Sequence, residues 1–140
     1  MEYSLEFILR LAVAGLFASL FFGFCFVAFM RPHHRLDREK DKTPLFTSTT
    51  GGRIGFPEYK GPFISLRIYE EFVVIGYLNK KIVFEFEDID RVEIKKWSLL
   101  SPKGIQIIHQ KTDVPDGIMI WVTQPAHVKE IIDSKIQKLA

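Results

Sequence analysis

The sequence predicts a single N-terminal transmembrane α-helix followed by an α+β, mainly β, domain: an antiparallel, partly open barrel or sandwich capped by a C-terminal helix. Three observations carry this expectation. Leu11 to Met30 is a run of 20 residues without a charge, six of them Phe. From about Phe63 onward, apolar residues recur with period two in short runs separated by turn residues. The chain closes on one stretch whose apolar residues recur with helical spacing. The expected divisions are 1–30 for tail and helix, 31–52 for a charged juxtamembrane linker and 53–140 for the β-domain.

Twenty helical residues at about 1.5 Å each span roughly 30 Å, the thickness of a bilayer's hydrocarbon core. A domain of this size has no core able to surround such a rod. A cleaved signal peptide has a shorter apolar run and a small-residue cleavage site, whereas this chain starts "MEYSLEF" and leaves the run through "RPHH". The helix is therefore expected to be retained as an anchor. Arg10 sits at its entry, where a long side chain can reach the headgroups, and Pro32 disfavours helical geometry at Arg31. One basic residue precedes the run (Arg10) and five follow closely: Arg31, Arg35, Arg38, Lys40 and Lys42. That asymmetry predicts a single-pass protein of the cell (inner) membrane, N-terminus outside and domain in the cytoplasm. Gly15, Ser19 and Gly23 recur every four residues along one helical face. Such spacing lets two membrane helices approach closely, and it also arises by chance in Gly/Ala-rich anchors, so a homo-oligomer through the anchor stays open. Cys25 is the only cysteine, expected as a small buried hydrophobe, so no intrachain disulfide staples the domain.

"RPHHRLDREKDKTPLFTSTTGG" is polar, charged and poor in large apolar residues, and is expected to be a flexible tether with a typical end-to-end distance of about 25 Å. His33 and His34 fit a solvated linker better than a metal site. From Thr43 onward 13 Lys/Arg balance 12 Asp/Glu. A near-neutral domain lacks the basic footprint of a nucleic-acid binder.

Within the domain, "ISLRIYEE" sets Ile64, Leu66 and Ile68 on one side and Ser65, Arg67 and Tyr69 on the other. "FVVIGYL" is a more fully apolar strand, and Asn79 and Lys80 turn it into "KIVFEFE", where Ile82, Phe84 and Phe86 alternate with Val83, Glu85 and Glu87. "IDRVEIKKW" continues with Val92 and Ile94 inward. "GIQIIHQ" and "GIMIWVT" form a further pair across "KTDVPDG", about six strands in all. The final helix is capped by Thr123 or Gln124, carries Pro125 in its first turn and presents Val128, Ile131, Ile132, Ile136 and Leu139 as an apolar stripe.

The stretch "KKWSLLSPK" is the first candidate contact surface. Lys95, Lys96 and Lys103 flank Trp97, Leu99 and Leu100 in a strand-to-strand loop. An apolar tip ringed by ammonium groups suits an anionic leaflet or a protein partner, while the plainer alternative makes Trp97 and the leucines caps of the barrel core. "GGRIGFPEYKGP" reads as a loop in which Phe56 and Tyr59 either pack or serve as handles. No catalytic, cofactor-binding or metal-binding residue is assigned: His109 and His127 have no neighbouring ligand spacing, and no glycine-rich phosphate loop or nucleophile elbow is present.

The meander "ISLRIYEEFVVIGYLNKKIVFEFEDIDRVEI", then "GIQIIHQ", "GIMIWV" and the helix "PAHVKEIIDSKI", resembles the pleckstrin-homology-like superfold, particularly its bacterial and GRAM-type branches; "FEDIDRVEI" looks like the acidic step those domains place after an apolar strand. The resemblance covers roughly residues 60 to 139. It implies a binding module without enzyme activity. Lipid-binding members grip phosphoinositide phosphates with Lys/Arg at the first hairpin loop, and the loop matched here carries Glu70 and Glu71, which would repel phosphate. The expected function is a membrane-anchored module that recruits or organises a protein partner at the cytoplasmic face; the alternative is a lipid-sensing or lipid-handling domain. Membrane lipids are expected partners through the anchor, and nucleic acid is not.

Overall fold

The computed structural model describes residues 4–30, 34–96, 98–100 and 102–139. Arg31, Pro32 and His33, to which the helix stop and part of the linker are assigned, and Trp97 of the basic loop lie outside these residues.

Helix α1 (Leu5–Met30) is opened by Ser4, whose Oγ accepts from the Phe7 N–H at 3.3 Å, and carries a Glu6–Arg10 pair at 2.5 Å one turn apart. Its Leu5–Val27 stretch has a mean hydropathy of 2.1 and none of its hydrophobic window is buried, so α1 is long and apolar enough to cross a membrane.

Seven antiparallel strands follow: β1 (Phe46–Arg53), β2 (Glu58–Ile68), β3 (Phe72–Tyr77), β4 (Lys80–Glu85), β5 (Ile89–Lys96), β6 (Lys103–His109) and β7 (Ile118–Ile120), then helix α2 (Pro125–Leu139). The spatial order is β4-β3-β2-β1-β7-β6-β5. β4 and β5 are therefore the two edges, yet only one 3-10 turn, Phe86–Asp88, joins them. So short a connection can reach only if the sheet curls until its edges approach. The result is a half-barrel, and α2 packs on β5, β6 and the 3-10 turn, closing the gap.

Alternation fills the barrel. Ile64, Leu66 and Ile68 of β2, Val73 and Ile75 of β3, Ile82 and Phe84 of β4, Val92 of β5, Ile105 and Ile107 of β6 and Ile118 and Ile120 of β7 are all buried inside it. Pro125 is the first residue of α2 and Val128 N–H donates to Gln124 O at 3.1 Å. Val128 and Ile132 are fully buried, Ile131 and Ile136 pack beside them, and Leu139 projects outward.

Four sequence expectations are corrected. The folded module starts before residue 53: β1 occupies "FTSTTGGR", inside the stretch assigned to linker. It lacks an apolar alternation because its last turns are built for close approach rather than side-chain packing; a Cβ on Gly52 would lie 2.3 Å from Met119 O. β2 starts at Glu58, which shortens the supposed loop to 54–57, and β1 is the strand that makes seven of the expected six. The β3–β4 turn centres on Leu78 and Asn79, with Leu78 in the left-handed region at φ 50°. Ile94 shares the inner face with Val92, opposite buried Ile105, yet is 41% exposed, because β5 is an edge that α2 covers only in part.

Candidate functional site

The outer faces of the two halves of the sheet differ. On the β1/β7/β6/β5 half, register aligns Arg53 with Met119, Met119 with Gln106 and Gln106 with Glu93. Odd-and-even alternation puts that row outside the barrel. Arg53, Met119 and Gln106 of that row, with Phe56, Lys95 and Lys96, line an open groove of about 660 Å³. Gly55 and Gly117, both left-handed at φ 66° and 77°, turn the two loops at its rim. Arg53 Nε donates to Gly55 O at 2.8 Å and its guanidinium lies 5.7 Å from the Phe56 ring, which is 89% exposed.

Beyond the groove the β5–β6 loop projects. Leu99 and Leu100 are 93% and 98% exposed, so neither caps the core. Lys96 Nζ donates to Leu99 O at 3.3 Å, and Lys95 Nζ is 3.1 Å from Glu93. Hydrogen bonds from Arg91 and Lys95 hold the Glu93 carboxyl below its ordinary range. Lys96 stands directly opposite Lys103 across the strand pair. Facing like charges in a ladder are unfavourable unless they are solvated or meet an anion. The groove and loop together carry Arg53, Lys95, Lys96 and Lys103 against Glu93 and Asp116, an arrangement suited to an anionic partner with apolar groups.

The β2/β3/β4 half is covered. Residues 34–42 cross its outer face as a strap. Leu36 packs with Tyr69, Phe72, Val74 and Val83 in a second, smaller core. Beneath it Glu39, fully buried, accepts four hydrogen bonds: from Arg67 Nε (2.6 Å) and Tyr69 Oη (2.8 Å) on one oxygen, from Leu36 N–H (2.6 Å) and Arg67 Nη2 (3.1 Å) on the other. Arg67 also donates to Ser65 Oγ at 2.9 Å. Burial alone would raise the Glu39 pKa; the hydrogen bonds from Arg67, Leu36 and Tyr69 and the guanidinium charge outweigh it and hold the carboxyl below its usual range. At the strap's margins Arg38 pairs with Glu85 at 2.7 Å and lies 3.8 Å over the Phe72 ring, and Lys42 pairs with Glu71. Nearby Lys81 is pulled down to about 8 by burial and by the Arg67 charge.

The structure thus joins Lys95 and Lys96 to Arg53 and Phe56, which the sequence reading did not place at the same site. Tyr59 packs against Tyr77 at 5.6 Å and is no handle. Gly15, Ser19 and Gly23 lie along exposed α1, and a Cβ at either glycine would meet nothing within 4 Å. Glu70 and Glu71 sit on the second hairpin, paired with Lys135 and Lys42; the first hairpin loop is 54–57, beside Arg53. The charge argument against phosphate therefore applies to the wrong loop. His109 packs on Phe84 at 4.9 Å and His127 on Phe46 at 6.2 Å. No protein-family model matches the chain, and no curated protein matches it.

Proposed function

We propose that this protein is a membrane-anchored binding module, pleckstrin-homology-like in fold, which recruits or organises protein partners at the cytoplasmic face of the inner membrane. Two antiparallel meanders curled into a half-barrel and closed by one C-terminal helix support the family resemblance. The observation that carries the functional reading is the open groove: side chains from β1, β5, β6, β7 and the 54–57 loop, Arg53, Lys95, Lys96, Phe56 and Met119 among them, converge on the half of the sheet that residues 34–42 do not cross. Tethering to α1 multiplies weak contacts there by raising effective concentration.

A second reading, contact with anionic headgroups, is favoured by the near-complete exposure of Leu99 and Leu100 between Lys95, Lys96 and Lys103. One experiment addresses both. A photoreactive benzoylphenylalanine replaces Gln106 or Leu99 in the intact protein in its own membrane. The recruitment reading expects discrete protein adducts from position 106, reduced about tenfold by Arg53→Glu with Lys96→Glu, a loss of about 1.4 kcal/mol. Lipid adducts from position 99 without protein adducts from 106 select the second reading, and adducts from neither position overturn both.

A further inference from the structure

We propose that residues 34–42 act as a latch that fixes the attitude of the sheet domain to α1, in place of a flexible tether between them. The strap begins at once: His34 O already accepts from Arg67 Nη2 at 3.4 Å, so only residues 31–33 separate the end of α1 from a segment fastened to β2. Three residues reach at most about 11 Å. A free linker of some 20 residues would instead let the domain roam over about 25 Å. α1 itself contacts β2.

The fastening is of a kind that does not slip. An exposed ion pair such as Arg38–Glu85 contributes little. Glu39 is different, because it is fully buried and its four hydrogen bonds come from the strap's own backbone, from Arg67 of β2 and from Tyr69 just after that strand. Lifting the strap takes the Glu39 carboxylate away from the Arg67 guanidinium and uncovers Tyr69, Phe72 and Val74, which are fully buried. Leu36, Arg38 and Lys42 all converge on the Phe72 side of the same surface, so apolar, cation–π and ionic contacts release together or not at all. The groove on the other half of the sheet is consequently presented in one direction relative to the anchor. This inference does not rest on what the groove binds.

The test uses full-length protein in lipid nanodiscs with spin labels on native Cys25 in α1 and on Glu87→Cys beside β4. The latch predicts one narrow distance distribution, broadened at least about twofold by Glu39→Ala as the released segment gains the freedom of a flexible chain. A broad distribution in the otherwise unaltered protein overturns the proposal whether or not the Glu39 variant folds. Equal, narrow distributions in both overturn it as well.

Discussion

The two halves of this sheet are finished in opposite ways. Over β2, β3 and β4 the outer face is sealed by residues 34–42 and holds its own apolar cluster around a buried carboxylate. Over β1, β7, β6 and β5 the outer face is left open, with Met119 and Gln106 on the floor and Arg53, Phe56 and Lys96 at the rim. The difference teaches how the labour is divided: the sealed half spends its polar residues on one another under cover and ties the chain's two parts together, whereas the open half makes only exposed local contacts, such as Lys95 with Glu93 and Arg53 with Phe56, and leaves those groups within reach of a partner.

The strongest way to break this contrast is to cut each half at its centre. Glu39→Ala leaves Arg67 buried without its carboxylate and is expected to destabilise the domain by about 3–5 kcal/mol. Leu99→Ser with Leu100→Ser removes two side chains that touch almost nothing and is expected to change stability by less than about 0.5 kcal/mol. Urea unfolding of both variants in detergent checks the pair; similar losses in the two would erase the distinction.

A smaller effect sharpens it through pH. Because the Glu39 carboxyl is held below its ordinary range, its contribution is fully present above the unfolded glutamate value of about 4.3 and fades as pH falls through the lower folded value. The stability gap between the parent protein and Glu39→Gln should therefore be constant from pH 7 to about pH 5 and narrow below about pH 4. Thermal unfolding across that series measures it. Variants of the open half have no such buried carboxylate and should run parallel to the parent.

Much of the sealed half was legible in the sequence, but its seal was not. Strands β2 to β7 announce themselves by alternation, and the unbroken apolar run of β3 even signals that both its faces are covered. Nothing local says by what. "HHRLDREKDK" has the composition of a solvated linker, and its role is decided by one carboxylate meeting an arginine 28 residues away. β1 is hidden for a related reason: its glycines are required by neighbouring backbone, so the strand carries little apolar pattern to read. The open half was half-legible. Lysines beside leucines in one loop stand out, whereas Arg53 and Phe56 join them only because β1 pairs with β7 and brings residues some forty positions apart to one rim.

The account stands on the open half lying in the cytoplasm at the end of a helix that crosses the membrane once. Its most direct measurement is labelling of Leu99→Cys, in a Cys25→Ser background, with a membrane-impermeant maleimide. The account predicts no labelling in intact cells, even with the outer envelope opened, and full labelling once the inner membrane is permeabilised. Equal labelling before and after permeabilisation would contradict it.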